Sequence, residues 1–504
     1  MKSSNNVFKK ELKLFSDTHL KNLTVIYILA IIYISPILIA DSLYFDDIGR
    51  SIYGYFSWGI DGRPLADLIF KAIDLGEPAT DISPFPQILC ALIMATLCYI
   101  LHIVINPETK YGWVVFTPIF LSPFFIQNIA FKFDSLTMAI SIAFAAIPFV
   151  FVNKQKPYIL ISSCIGIFSS LAMYQASISA FTSICAIYIL KSAKDKKDPI
   201  DYTMNAVTYA VGMISGYLIY TTLIIPQFVT SEYANNYNQI IKISELDVLI
   251  KNSELSVNMI KSYFTGYIKW IYAPVFIFSS IGLAFVFISV ANTKICFFKK
   301  IIAAVMCLLA LSVIIISIPG PSIFLKNMAI GPRVFIGFGF AISALFLLAS
   351  FFITKKILLN TIYFIPMMAM YSYMATFASA LKSQDRMMDY IINGVSNDII
   401  NVGYNNVKLI TIDGKALYTP IASKVIQKFP LMENLIPSYF NNELGWGTTK
   451  MKEFYTGRDM PSITTQIKIR KNICDMQLIS DAGLYKTYYK DGNLLISFSF
   501  MKCD

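Results

Sequence analysis

The chain has 504 residues, of which 56% are hydrophobic and only 14% charged. Soluble proteins carry roughly a quarter charged residues, so that class is excluded. The net charge of +11 resides in lysines between apolar runs, where it sets membrane topology, and no nucleic-acid partner is expected.

Apolar runs of about 17–25 residues, the length that crosses a bilayer as a helix, recur through the first three quarters of the chain. A helix satisfies its own backbone polar groups in lipid. The expected fold is therefore an all-α polytopic membrane protein with about eleven spans, near 23–40, 87–105, 113–128, 136–152, 158–173, 177–190, 203–226, 269–290, 301–318, 333–353 and 357–378. The third is short and interrupted by Pro118 and Pro123, which predicts a broken or re-entrant helix. Residues 1–22 precede the first span as a basic segment, not a signal peptide. In it Phe8, Leu12 and Phe15 share one helical face beside Lys9, Lys10 and Lys13, suited to an anionic inner leaflet or to a disordered tail.

Lysine clusters at 154–156, 191–197, 294–300 and 355–356 mark one side as cytoplasmic. The acidic loop 41–86, the loops at Lys132 and Lys326, the long loop 227–268 and the tail 381–504 then face outside. Interfacial helices are expected in 41–86, one opening at Pro64 with Leu65, Leu68, Ile69 and Ala72 on an apolar face. In the tail, 407–412 reads as a strand, Asp413-Gly414 as a turn, and Thr419-Pro420 as a helix start running through Val425. A small α/β domain follows from these signals. Cys474 and Cys503 share this tail and would be able to pair in an oxidising compartment.

Water-facing chemistry has few places in so apolar a chain. Asp46 and Asp47 stand just past the first span, and either carboxylate is placed to take a proton from a hydroxyl at the lipid surface. Neighbouring helical residues point about 100° apart, so only one of the two is expected to reach an acceptor. Arg50 is positioned to pair with either acid, and Asp134 is another acid at the same face. Arg333, Arg63 and Lys132 are candidate phosphate ligands, with headgroup snorkelling or helix-end solvation as the alternative. Tyr174 and Gln175 either contact a sugar or close a tight hairpin. Only two histidines occur, and no metal-ligand spacing is present. No cofactor is expected; the clustered acids leave a divalent ion open to a chelator test.

The run Asp46-Asp47-Ile48-Gly49-Arg50, continuing through Gly54-Tyr55 and Trp58 to Gly62-Arg63-Pro64-Leu65, resembles the first periplasmic loop of the GtrII-type O-antigen glucosyltransferases. Tyr174-Gln175-Ala176 and Gly331-Pro332-Arg333 are similar as well. The resemblance implies a GT-C architecture in the bacterial inner membrane. It implies glucose transfer from undecaprenyl-phosphate glucose to lipid-linked O-antigen on the periplasmic side, by inversion of a β-linked donor. It also implies a small flippase and a glucosyl-carrier synthase as functional partners. An O-antigen polymerase and a lipid-linked sugar transporter or flippase are the alternatives. The spans are nearly free of the midplane ionisable residues that a transporter tends to carry.

Overall fold

The computed structural model describes residues 17–106, 112–237, 239–442 and 445–499. Most of the basic N-terminal segment, including its Phe8, Leu12 and Phe15 face, lies outside the described residues, as does Cys503 and hence any Cys474–Cys503 pairing.

The chain folds as a helical membrane body with a small C-terminal sheet domain. Among the described residues seven helices are long and apolar enough to cross a membrane, against the eleven expected. Four expected spans fall short of the roughly 20 residues that crossing requires. Ser135–Phe151, Lys156–Leu171 and Gly337–Phe352 are short apolar helices. The third expected span is broken, as its prolines predict, into the turn Gly112–Phe116 and the short helices Pro118–Leu121 and Ile126–Ala130, nearly all of it buried.

Different loops meet at the two ends of the body. At one end Lys299 pairs with Asp198 (a 2.5 Å contact) and Lys194 lies over Phe351. At the other end residues 41–84, 122–134, 174–177 and 320–333 converge.

Small residues let the helices approach closely. An added Cβ at Gly282, in helix Ile268–Ala291, would overlap the Leu348 carbonyl of helix Gly337–Phe352. Such backbone contact is how membrane helices pack when lipid is as apolar as their side chains.

The last helix, Lys356–Val402, has 47 residues. At 1.5 Å per residue it is about 70 Å long, more than twice a bilayer core. Its distal half leaves the membrane body and carries the C-terminal domain, so the expected boundary at 380 falls inside a continuous helix. That domain contains a four-stranded mixed sheet in the order β1-β4-β3-β2, built from β1 (Leu409–Asp413), β2 (Gln477–Asp481), β3 (Lys486–Lys490) and β4 (Asn493–Ser497). β1 runs parallel to β4, and the other pairs are antiparallel. The expected strand, turn and helix are present: Gly414 takes φ 77°, and Thr419 caps Pro420–Lys428 by accepting from the Ala422 N–H.

This domain packs directly on the acidic segment. Ile48 shares an apolar core with Met388, Ile391, Val395, Ile410 and Phe440. Tyr439 accepts from the Phe45 N–H at 3.1 Å and donates to the Leu43 carbonyl at 3.0 Å. Tyr44 donates to the Leu435 carbonyl at 2.6 Å.

The helix Pro64–Ile73 starts at Pro64 as expected, with Ala66 and Phe70 buried. Ala66 and Phe70 pack with Phe56, Trp58 and Phe133; of the expected apolar face, Leu65 packs against the main core, Ile69 is half-buried, and Leu68 and Ala72 are exposed. Periodicity alone does not say which side of an amphipathic surface helix meets protein and which meets lipid.

Gly282→Ala should force the two packed helices apart, at a cost of about 1–3 kcal/mol. Thermal unfolding of the detergent-solubilised protein checks this, and an unchanged melting temperature would refute the close-packing account.

Candidate active site

The helix Asp46–Tyr53 begins with two acids, which its N-terminal dipole favours, and stops at Gly54 in the left-handed region, whose N–H returns to the Arg50 carbonyl. Phe45, just before it, holds φ 47°. A non-glycine residue there costs of order 1–3 kcal/mol and persists only where its surroundings impose it. Here the Tyr439 bond to the Phe45 N–H is one such restraint.

The two aspartates part company at this helix start. Asp47 is fully buried. Its carboxyl accepts from the N–H groups of Tyr44 (3.2 Å), Lys132 (2.8 Å) and Phe133 (3.3 Å). Burial pushes its pKa up to about 8; the Lys132 and Phe133 N–H groups and the Arg50 guanidinium pull the other way, and Asp134 adds to the rise. Asp46 is half-buried and lines a cavity of about 210 Å³ together with Phe45, Gln127, Phe131 and Arg333. Of the two carboxyls, only that of Asp46 lines this cavity.

Arg333 also lines an adjoining cavity of about 110 Å³ that includes Asp61, Arg63, Tyr174 and Gln175. Its guanidinium lies 4.8 Å from the Phe131 ring centre. Its backbone is fixed from three sides: the N–H donates to Gln127 Oε1 at 2.8 Å, and the carbonyl accepts from Tyr174 at 3.1 Å and Asn128 at 3.2 Å. Arg63 Nε donates to Gln175 Oε1 at 2.9 Å and its guanidinium sits 5.2 Å from the Tyr174 ring centre. Gln175 in turn donates to the Asp61 carbonyl and to Tyr220, both at 3.0 Å. The hairpin residues thus both close a turn and wall a cavity.

Three expected site residues are engaged elsewhere. Arg50 pairs with neither Asp46 nor Asp47; it bonds Asp134 at 3.3 Å and stacks 4.0 Å over Trp58, whose indole N–H donates to Asp134 at 2.6 Å. This buried triad joins the first loop to the 131–135 segment. Lys132 is held by Asp41 at 2.7 Å and Asp81 at 3.2 Å, beside a separate cavity. Residue types and spacing place these charges at one membrane face but do not reveal which partner each takes. No group of three or more metal-ligating side chains occurs among the described residues.

Gln127 is absent from the sequence expectations. Its Nε2 approaches the Tyr44 hydroxyl at 3.4 Å while its Oε1 holds Arg333, so it links both walls of the Asp46 cavity. The signal that finds it is the polar pair Gln127-Asn128 within an otherwise apolar broken span.

Because Asp47 binds its proton more tightly folded than unfolded, its contribution to stability is complete below the ordinary aspartate pKa of about 4. That contribution is lost as pH rises through its folded value of about 8. The melting temperature of the wild type should therefore fall from pH 5 to pH 9 relative to that of Asp47→Asn; parallel curves would refute this. Asp134→Ala, which strands the buried Arg50 charge, should cost about 3–5 kcal/mol, read as a large drop in unfolding temperature.

No solved structure matches the chain. Residues 35–344 match the family model described as Glucosyl transferase GtrII. An uncharacterized 55.3 kDa protein from the gtrB 5′ region of Salmonella phage P22 is 31% identical over 451 residues, covering 88% of this chain and 91% of the phage protein. The matched region runs from the end of the first span through both cavities, and on this evidence the chain belongs to the GtrII glucosyl transferase family.

Proposed function

We propose that this protein transfers a glucosyl residue from undecaprenyl-phosphate glucose to a lipid-linked O-antigen repeat unit on the periplasmic side of the bacterial inner membrane. The observation that carries the reading is the cavity with Asp46 on one wall and Arg333 on another. Transfer needs a carboxylate for the acceptor hydroxyl proton and a cation for the departing phosphate, whose charge grows as its bond to the sugar breaks. The donor is already activated, so no nucleotide-binding fold is required.

In this scheme the acceptor oxygen forms its bond to the glucose anomeric carbon as the bond from that carbon to the phosphate oxygen breaks. The acceptor proton passes to Asp46, and the carrier leaves as undecaprenyl phosphate beside Arg333. Attack opposite the leaving group inverts a β-linked donor to an α-linked product. Arg63, Tyr174 and Gln175 face the adjoining cavity, where they are suited to hold the sugar or the carrier phosphate. Asp47 has its oxygens occupied by backbone donors and acts by holding the Asp46 helix start in place. Arg50, Asp134 and Lys132 brace the same segment. A small flippase and a glucosyl-carrier synthase would supply the donor at the outer leaflet, and the scheme calls on no metal or other cofactor.

Asp46→Asn should lower kcat by about 10²–10⁴-fold while leaving the melting temperature near that of the wild type. Arg333→Ala should lower transfer without changing membrane insertion. The assay is glucose transfer by purified protein from a synthetic prenyl-phosphate glucose to a lipid-linked repeat unit. Wild-type turnover by Asp46→Asn would overturn its assignment as the base, and turnover undiminished by a chelator is expected.

A further inference from the structure

The C-terminal domain and the end of the helix Asp46–Tyr53 together present a strip of exposed aromatic rings. Tyr53, Tyr404, Phe454 and Tyr455 are all exposed, Tyr455 at 83% and Tyr53 at 53%. The rings form a connected arrangement. Lys452 Nζ lies 5.3 Å from the Tyr53 ring centre, and its carbonyl accepts from the Tyr455 N–H. The Tyr404 hydroxyl donates to the Tyr455 carbonyl at 2.6 Å, and the Arg458 guanidinium lies 4.5 Å from the Tyr404 ring centre. Arg458 also donates to the backbone carbonyls of Val407, Tyr455, Gly457 and Tyr404, which holds the loop rigid. Tyr455 keeps φ 60° with its side chain in solvent, a strained backbone of the kind that gathers at ligand clamps.

A membrane-interface belt does not account for the Tyr404 end of this strip. The apolar stretch of helix Lys356–Val402 gives way to charged residues after Leu381. Val402 lies about 30 Å further along the axis at 1.5 Å per residue, past the several ångströms that a headgroup layer adds to each side of the bilayer core. Tyr404 therefore stands in water. The strip also begins at the candidate active site: Tyr53 is seven residues beyond Asp46 on one helix, on the same face and about 10 Å along it.

We infer that Tyr53, Tyr404 and Tyr455 form a saccharide-binding strip that holds the distal part of a polysaccharide acceptor and leads it toward the Asp46 cavity. The inference rests on the acceptor being a glycan, as proposed above. Pyranose rings have apolar C–H faces that lie on aromatic rings, and tyrosines give that contact at low entropic cost. Lys452 with Asp459, paired at 2.6 Å, supplies polar partners for sugar hydroxyls at the edge of the strip. Tyr404, braced by Arg458 on one side, offers a preorganised ring.

The test is direct binding of lipid-free, long-chain O-polysaccharide to the purified full-length protein. The triple variant Tyr53→Ala, Tyr404→Ala, Tyr455→Ala should bind at least about tenfold more weakly, the loss expected for truncated aromatic anchors. Tyr455→Trp, which keeps a ring, should bind like the wild type and guards against misfolding as the cause. Wild-type binding by the triple variant, or no binding by the wild type, would overturn the inference. Asp46→Asn, assayed for transfer alongside, separates the two readings. Binding through the strip without any glucose transfer by the wild type would sink the proposed reaction and leave the strip standing. Transfer by a wild type whose binding ignores the strip would do the reverse.

Discussion

The buried carboxyl of Asp47 ties two segments that share no secondary structure. It accepts from the Tyr44 N–H on its own stretch of chain and from the Lys132 and Phe133 N–H groups of the 131–135 segment. Backbone N–H groups inside a protein need a partner, and a broken span leaves several without a helical one. Asp47 satisfies them, and in doing so it fixes the start of the helix that presents Asp46. Arg50, Asp134 and Trp58 make a second bridge between the same segments. Two bridges define both the position and the direction of a short helix, which one would not.

The C-terminal domain closes this arrangement from outside. The distal half of the last helix supplies Met388, Ile391 and Val395 against Ile48. Tyr439 and Leu435 bond the backbone and the hydroxyl of the residues just before Asp46. The strained φ of Phe45 fits this view, since a local cost at a functional position is maintained by the structure around it. The domain thus frames the Asp46 segment, although it lies outside the region matched by the family model.

Gln127 and Arg333 show how the membrane body contributes. The break in the third apolar run leaves Gln127 where it holds the Arg333 backbone and meets Tyr44. The same Arg333 backbone is bonded by Tyr174 from the hairpin between two other helices. Four separate stretches of chain meet within one hydrogen-bonded group, which gives two adjoining cavities a common wall.

From the sequence alone, the membrane class, the broken third run and the small C-terminal sheet domain were legible. Each depends on local chemistry: apolar run length, proline interruption, and the alternation and turn residues of the tail. The number of full-length spans, the packing of Pro64–Ile73, the pairing of Arg50 with Asp134 and the different surroundings of Asp46 and Asp47 were decided by the tertiary structure. Those features depend on which distant group arrives opposite a given side chain. Two adjacent aspartates are chemically equivalent until the backbone of residues 132 and 133 occupies one of them and leaves the other facing a cavity.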